Sequence, residues 1–287
     1  MNNLDISIYV PVFNGEKTIK SCLDSIFNQT LKPKKILVIN DNSNDETNNI
    51  LQSYEDKIEI INNFKNLGIS QTRHLAVNHL KTKYIACIDA DVEIEKDWLH
   101  NIYTTLKKNN ATWVCGKMYE KYTENPCNFW RSLRLRQNWG ENDVLNPQLI
   151  FGCNNLLKTD SIDLKEIYNN YGEYFKTNGD DNQLTFYLKK RNHTLFYDSS
   201  ALCYHLLNDD YFSLASRYWR YIHFGDGLKK KNLIRTIKNI IRQFKKTIKW
   251  SFKDLLNFKF KLLAINFIVF YYFLIIDFKM YEKHKKK

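Results

Sequence analysis

Residues 84–94 read YIACIDADVEI. An apolar run of this length, running straight into Asp89-Ala90-Asp91, is the pattern of a strand buried on both faces that ends in a polar turn. Three similar runs lie upstream: DISIYVPVF at 5–13, broken by Asn14-Gly15; KILVI at 35–39, ending in Asn40-Asp41-Asn42-Ser43; and IEIIN at 58–62. Helical stretches fall between them. In 16–29, Ile19, Cys22, Leu23 and Ile26 recur at helical spacing, and 45–54 and 71–80 are further helices. Strands alternating with helices predict βαβ units: an α/β fold with a mostly parallel sheet flanked by helices. Downstream the pattern is less regular. It holds a strand at 112–119, an aromatic, Arg-rich stretch at 128–139, the run LIFGCNNLL at 149–157, helical residues after Gly179-Asp180-Asp181, and a last strand ending at Ala201–His205.

The chain has 287 residues, 44% hydrophobic and 26% charged, enough for a sizeable core and too apolar for wholesale disorder. Its six cysteines form no CxxC pair, which argues against a zinc ribbon, a redox motif or a disulfide scaffold. The start, MNNLDISIYVPVF, shows no basic segment followed by an apolar one, so no signal peptide is expected. The net charge of +12 is unevenly spread. Residues 228–287 hold 17 Lys/Arg and 3 Asp/Glu, a net +14, which leaves −2 for residues 1–227. The predicted organisation is a near-neutral body over 1–227 and a basic helical tail over 228–287.

In that tail, Leu233, Ile237, Ile240, Ile241, Phe244, Ile248, Phe252 and Leu255 mark one face of a long helix, and Lys and Arg fill most of the remainder. Leu262–Ile276 follows, fifteen residues with only Asn266 strongly polar, shorter than the roughly 20 that a spanning helix needs. A basic amphipathic helix beside an apolar run, with the Lys283–Lys287 cluster beyond, fits an anionic membrane surface. A nucleic-acid partner would call for interleaved polar and aromatic residues without a continuous apolar run, and is not expected. Packing against the body or a second copy is the structural alternative.

In parallel sheets, ligands bind beyond the carboxyl ends of the strands. Three polar clusters end strands here: Pro11-Val12-Phe13-Asn14, Asp41-Asn42-Ser43 and Asp89-Ala90-Asp91. Two carboxylates one residue apart repel unless a cation sits near them, and a hard divalent ion would serve that role and also neutralise a diphosphate. A solvated turn is the plain alternative for Asp-x-Asp alone.

These residues, VPVFNGEKTIKSCLDSIFNQT, ILVINDNSNDET, NLGISQTRHLAV and YIACIDADVEI, followed in order by FGCNNLLKTD, GDDNQL, ALCYH and RYWRYIHFGDG, resemble the family 2 glycosyltransferases with the GT-A fold over roughly residues 5–227. The resemblance implies that Pro11 and Asn14 line the nucleotide pocket, that Asp41 contacts the base, and that Arg73 approaches the nucleotide or its phosphates. Asp89 would hold the ribose or the metal. Asp91 would coordinate a bridging Mg²⁺ or Mn²⁺, with His205 as its second protein ligand. Asp181 would be the general base, with Asp180 as the other candidate because Gly-Asp-Asp replaces the usual Gly-Glu-Asp. Asn40-Asp41 also departs from the common Asp-Asp. Arg217-Tyr218-Trp219-Arg220 stands in place of the Gln-x-x-Arg-Trp of processive synthases, implying one sugar per encounter. Asn154 and Asn155 fall where relatives shape the pocket. Trp130, Arg131, Arg134, Arg136 and Trp139 could line the acceptor cleft or pack as an amphipathic helix.

The function this implies is metal-dependent, inverting transfer of a sugar from a nucleotide-diphosphate donor. A UDP-sugar is favoured, with a glycan or polyprenyl-linked acceptor at the cytoplasmic membrane face, in surface polysaccharide or glycoconjugate synthesis. The alternatives are a nucleotidylyltransferase, which should show a Gly-rich basic loop after the first strand, and an inactive sugar-nucleotide-binding scaffold of the same fold.

Overall fold

A computed structural model describes residues 4–160, 162, 179–224 and 233–285. The chain divides into two compact units. One comprises the residues up to Lys121 with Gln137–Leu206, the other Tyr122–Arg136 with Leu207–Lys287. The predicted boundary at 227/228 lies outside the described residues.

The first unit is built on one sheet. Its strands are β1 (Ile6–Val12), β2 (Lys35–Asn40), β3 (Glu59–Asn62), β4 (Tyr84–Ile88), β5 (Val92–Ile94), β6 (Trp113–Glu120), β7 (Val144–Leu145), β8 (Asn154–Lys158) and β9 (Leu195–His205). The order is β3-β2-β1-β4-β8-β6-β9-β5, with β7 paired to β9. The first four strands are parallel, as their alternation with helices predicts. Beyond β4 the sheet is mixed: β8 runs antiparallel to β4 and β6, β5 and β7 run antiparallel to β9, and β6 and β9 are parallel. The helices are α1 (Ile19–Phe27), α2 (Thr47–Gln52), α3 (Ile69–His79), α4 (Trp98–Lys108) and, after Gly179, α6 (Asp180–Lys190). The face expected of α1 is the one it buries, with Ile19, Cys22, Leu23 and Ile26 all in the core. Ile8, Val10, Val38 and Ile88 from the central strands join Trp98 and Leu156 there. Each such side chain contributes roughly 1.5–3 kcal/mol on leaving water. All six cysteines are free and buried.

The second unit is helical. It contains α5 (Pro126–Arg134), α7 (Tyr211–Phe224), α8 (Leu233–Leu256) and α9 (Phe260–Lys285). Asn125 caps α5, accepting from the Cys127 amide, and Pro126 occupies the first turn, where its missing N–H costs nothing. Of the two roles open to the 128–139 stretch, Trp130, Arg131 and Arg134 take the packing one. Trp130 sits in the apolar core with Tyr218 and Phe273. Its Nε1 donates to Asn266 Oδ1 at 2.6 Å, Asn266 Nδ2 donates to Asp254 Oδ2 at 2.8 Å, and Arg134 donates to Asp254 Oδ1 at 2.6 Å. Arg131 pairs with Asp209. Trp139, in the first unit, donates from Nε1 to the Leu149 carbonyl at 2.9 Å. The short apolar run at 262–276 proves to be part of a longer helix. Phe260–Glu282 is 23 residues of length and composition sufficient to cross a membrane, with a third of its most apolar window buried inside the protein.

Candidate active site

The ends of β1 and β2 are sewn together by side chains. The Asn14 amide donates to Ser43 Oγ at 2.9 Å, and Asn14 Oδ1 accepts from the Asn44 amide at 2.9 Å. The Gly15 amide donates to Thr47 Oγ1 at 2.8 Å. Asn14 takes φ = 53°, a left-handed conformation that Asn tolerates better than most residues. Pro11 is buried three residues earlier, on β1. Asp41 continues β2 and is buried. Its Oδ1 accepts from Asn63 Nδ2 (2.7 Å) and the Leu67 amide (2.9 Å), and its Oδ2 accepts from the Gly68 amide (2.8 Å). It thereby fixes the loop that leads into α3.

Arg73 on α3 is the pivot of the site. It is 6% exposed, and its two terminal nitrogens are both engaged. One donates to Asp89 Oδ1 at 2.8 Å and the other to Asp180 Oδ2 at 2.7 Å. The guanidinium thus meets two carboxylates, one just after β4 and one just after Gly179. Burial works against its charge, the two carboxylates more than offset that, and its pKa is pushed up. Burial also raises the Asp89 pKa. Arg73 opposes the shift and nearby Asp91 adds to it.

This chain of contacts ties the end of β4 to the first turn of α6. Gly179 precedes that turn at φ = 99°, a conformation that glycine adopts without strain. Asp180, locked to Arg73, is buried. Asp181 Oδ2 accepts from the Gly152 amide at 3.2 Å and Oδ1 from the Asn182 amide at 2.8 Å. Burial, and then the neighbouring Asp180 carboxylate, push the Asp181 pKa up to about 6. Gly152 is the tight point: a Cβ there would lie 2.7 Å from an Arg73 terminal nitrogen. Asn155 is buried beside it. Its Nδ2 donates to the Gly152 carbonyl at 2.8 Å and its Oδ1 accepts from Trp113 at 2.7 Å. Asn154 is buried too, on the same strand.

At the other side, β5 and β9 pair Val92 with His205, and β6 and β9 pair Glu120 with His205. His205 Nε2 lies 3.4 Å from Asp91 Oδ2, and Nδ1 lies 2.9 Å from Glu120 Oε2. Burial disfavours a charged imidazole, but the two carboxylates outweigh it and raise the pKa to about 9. Glu120 was not singled out from the sequence. Its only signal there is its position at the end of an apolar strand, and the register that brings it to His205 is a tertiary fact. A carboxylate on one ring nitrogen of a metal-binding histidine fixes which nitrogen faces the ion.

The donor set suits a divalent cation. Two ligands of one ion, each about 2.1 Å from it and about a right angle apart, are separated by about 3 Å. Asp91 and His205 stand at 3.4 Å. Among the described residues no cluster of three or more such ligands is found.

A half-parallel, half-mixed sheet that gathers an Asp-x-Asp, a histidine and a helix-borne aspartate at its strand ends defines a GT-A class domain. Residues 7–162 match the model for glycosyl transferase family 2, more than half of the chain, and the chain belongs to that family. Among sequence relatives, "Glycosyltransferase GlyA" of Streptococcus pneumoniae is 32% identical over 40% of this chain and 17% of its own length. "Poly(ribitol-phosphate) beta-glucosyltransferase" of Bacillus spizizenii is 34% identical over 40% of this chain and 19% of its own. The chain thus spans under a fifth of either relative. Among solved structures, Staphylococcus aureus TarS 1-349 in complex with UDP-GlcNAc superposes with a TM-score of 0.56 at 18% identity, covering 74% of this chain and 60% of that one. The mannosyltransferase PcManGT from Pyrobaculum calidifontis, in complex with GDP-Man and Mn²⁺, gives 0.55 at 15% identity, over 77% and 62%. These likenesses establish the fold.

Proposed function

We propose that this protein transfers a sugar from a nucleotide-diphosphate donor, with inversion at the anomeric carbon, to a glycan or polyprenyl-linked acceptor. The observation that carries the reading is the Asp89–Arg73–Asp180 bridge. It holds a donor-side carboxylate and the turn bearing Asp181 in one rigid frame. A UDP-sugar is the favoured donor, in keeping with the UDP-GlcNAc bound to TarS. Surface polysaccharide or glycoconjugate assembly is the favoured setting, in keeping with the poly(ribitol-phosphate) relative. The transfer would take place at the cytoplasmic face of a membrane.

In this scheme Pro11, Asn14 and Asp41 line the nucleotide pocket, and Asp89 faces the ribose. Asp91 and His205 would hold a Mg²⁺ or Mn²⁺ ion. When bound, that ion neutralises charge on the departing diphosphate. Asp181 accepts the proton of the acceptor hydroxyl as its oxygen bonds to the anomeric carbon. The bond from that carbon to the diphosphate breaks, and the nucleoside diphosphate leaves with the electron pair. A carboxylate with a pKa near 6 is ionised at neutral pH yet more basic than an ordinary aspartate, which suits a general base. Asp180 is spent on Arg73 and acts as a positioning residue.

The test is a panel of UDP-, GDP- and dTDP-sugars with Mg²⁺ or Mn²⁺, scored for nucleotide release with and without a membrane lipid extract. Release from one donor, abolished by EDTA and by Asp91→Ala, is expected. Folded protein that neither binds nor turns over any donor with lipid present would overturn the transferase reading. Release of pyrophosphate from a nucleoside triphosphate and a sugar phosphate would favour a nucleotidylyltransferase.

A further inference from the structure

The α8 helix is built inside out. Thr236, Gln243, Thr247 and Asp254 form its buried stripe. Ile237, Ile241, Phe244, Ile248, Phe252 and Leu255, the apolar face legible in the sequence, are 43–62% exposed. The third stripe, Lys238, Arg242, Lys245, Lys249 and Lys253, is exposed and runs alongside the apolar one. The exterior of α9 is apolar as well: Phe260, Phe267, Tyr271 and Phe278 are 42–64% exposed, while its buried face holds Asn266 and Asp277 together with Leu262, Ile265, Val269 and Phe273. A helix on a water-facing surface turns its polar side outward. Buried polar side chains beneath an apolar exterior are the arrangement of helices whose surroundings are lipid.

We infer that α8 and α9 lie side by side in the plane of an anionic bilayer's interface, apolar stripes inserted, without crossing it. The inference gives a surface and an orientation to the membrane location proposed above, and stands apart from the transfer chemistry. The occupant is set by charge: cationic side chains border the apolar stripe along its whole length, so lipid phosphates meet them as the stripe inserts. A second copy bound symmetrically through this face would bring the two cationic stripes together. Crossing is disfavoured by α8. The two helices are joined by Asn266 to Asp254 and Ser251, and by the Phe244–Phe270 ring pair at 5.5 Å. The α9 helix, long enough alone, cannot enter the hydrocarbon centre without α8, whose cationic stripe would be carried in with it, and charges there are costly.

The test uses the full chain and preformed vesicles of phosphatidylcholine with or without phosphatidylglycerol. Flotation should show at least tenfold tighter binding to the anionic vesicles. The double variant Ile241→Glu, Ile248→Glu should weaken it at least tenfold with an unchanged circular dichroism spectrum, since both positions are exposed. Because the native cysteines are buried, a nitroxide on Tyr271→Cys reports depth, and about 5–10 Å below the phosphates is expected. A label about 15 Å deep, mid-bilayer, would mean that α9 spans and would overturn the inference. So would equal binding to neutral vesicles, or full binding by the double variant. A lipid-free dimer that the double variant dissociates, with no vesicle binding, would assign the face to a second copy. None of these readouts depends on turnover, so failure of the transferase reading leaves them interpretable.

Discussion

Replacing Asp181 with Asn should inactivate the enzyme and stabilise the fold at the same time. The folded-state pKa of about 6 stands above the ordinary aspartate value of 3.8. Below pH 3.8 the carboxyl is protonated in both states and contributes nothing. Between the two values the unfolded chain releases its proton while the native one keeps it, so native stability falls as pH rises. Above about 6 the penalty is complete. At about 1.4 kcal/mol per pH unit it amounts to roughly 3 kcal/mol. Asn removes that term but offers one acceptor oxygen where two amides now donate, from Gly152 and Asn182. One lost hydrogen bond costs about 1 kcal/mol. The net expectation at pH 7.5 is about 2 kcal/mol of stabilisation, on the order of 4–8 °C in melting temperature. The gain should shrink toward pH 4 and reverse sign by about 1 kcal/mol below it. Wild-type kcat/KM should rise with pH through about 6 and then level off, and the variant should lose at least a hundredfold of it. Urea unfolding at several pH values, alongside a pH–rate profile, measures both. A variant less stable than wild type at pH 7.5, or a wild-type profile flat from pH 5 to 8, would refute the reasoning.

Asp180→Ala removes one of two partners from a buried guanidinium and should cost about 3 kcal/mol in denaturant unfolding. Asp180→Asn, still able to accept a hydrogen bond, should recover part of that, and an unchanged stability in both would remove Asp180 from the frame. Gly152→Ala places a methyl group 2.7 Å from an Arg73 nitrogen anchored at both ends. The arginine cannot swing aside, so activity should fall at least tenfold, while an unaffected variant would show that the frame yields. Glu120→Ala should weaken Mn²⁺ binding in the presence of UDP by about 10- to 100-fold, as loss of an outer-shell partner does. Glu120→Gln should weaken it less, and titration by electron paramagnetic resonance would show equal affinity for both if Glu120 does not orient His205.

Much of the first unit is written in local pattern. The runs before Asn14, Asn40 and Asp89 are strands because consecutive apolar residues can be buried only in a sheet covered on both faces. The α1 spacing fixes which side it buries. The candidates Asp41, Asp89, Asp91, Asp181 and His205 are legible from their places at strand and helix ends together with the family resemblance. The reversal of β8, β5 and β7 was not legible, because strand direction beyond β4 depends on pairings between segments far apart in sequence.

Local pattern carries the set of elements and the chemistry they can support: parallel βαβ units, acidic strand ends and a basic tail with one apolar face. Periodicity and charge are properties of neighbouring residues and need no partner to be read. Tertiary structure alone decided which groups meet. It turned Arg73 toward Asp89 and Asp180, brought Glu120 to His205 through the register of β6 on β9, and set the apolar face of α8 outward. Those outcomes depend on distances between remote segments and on which face finds a partner, and a one-dimensional pattern holds neither.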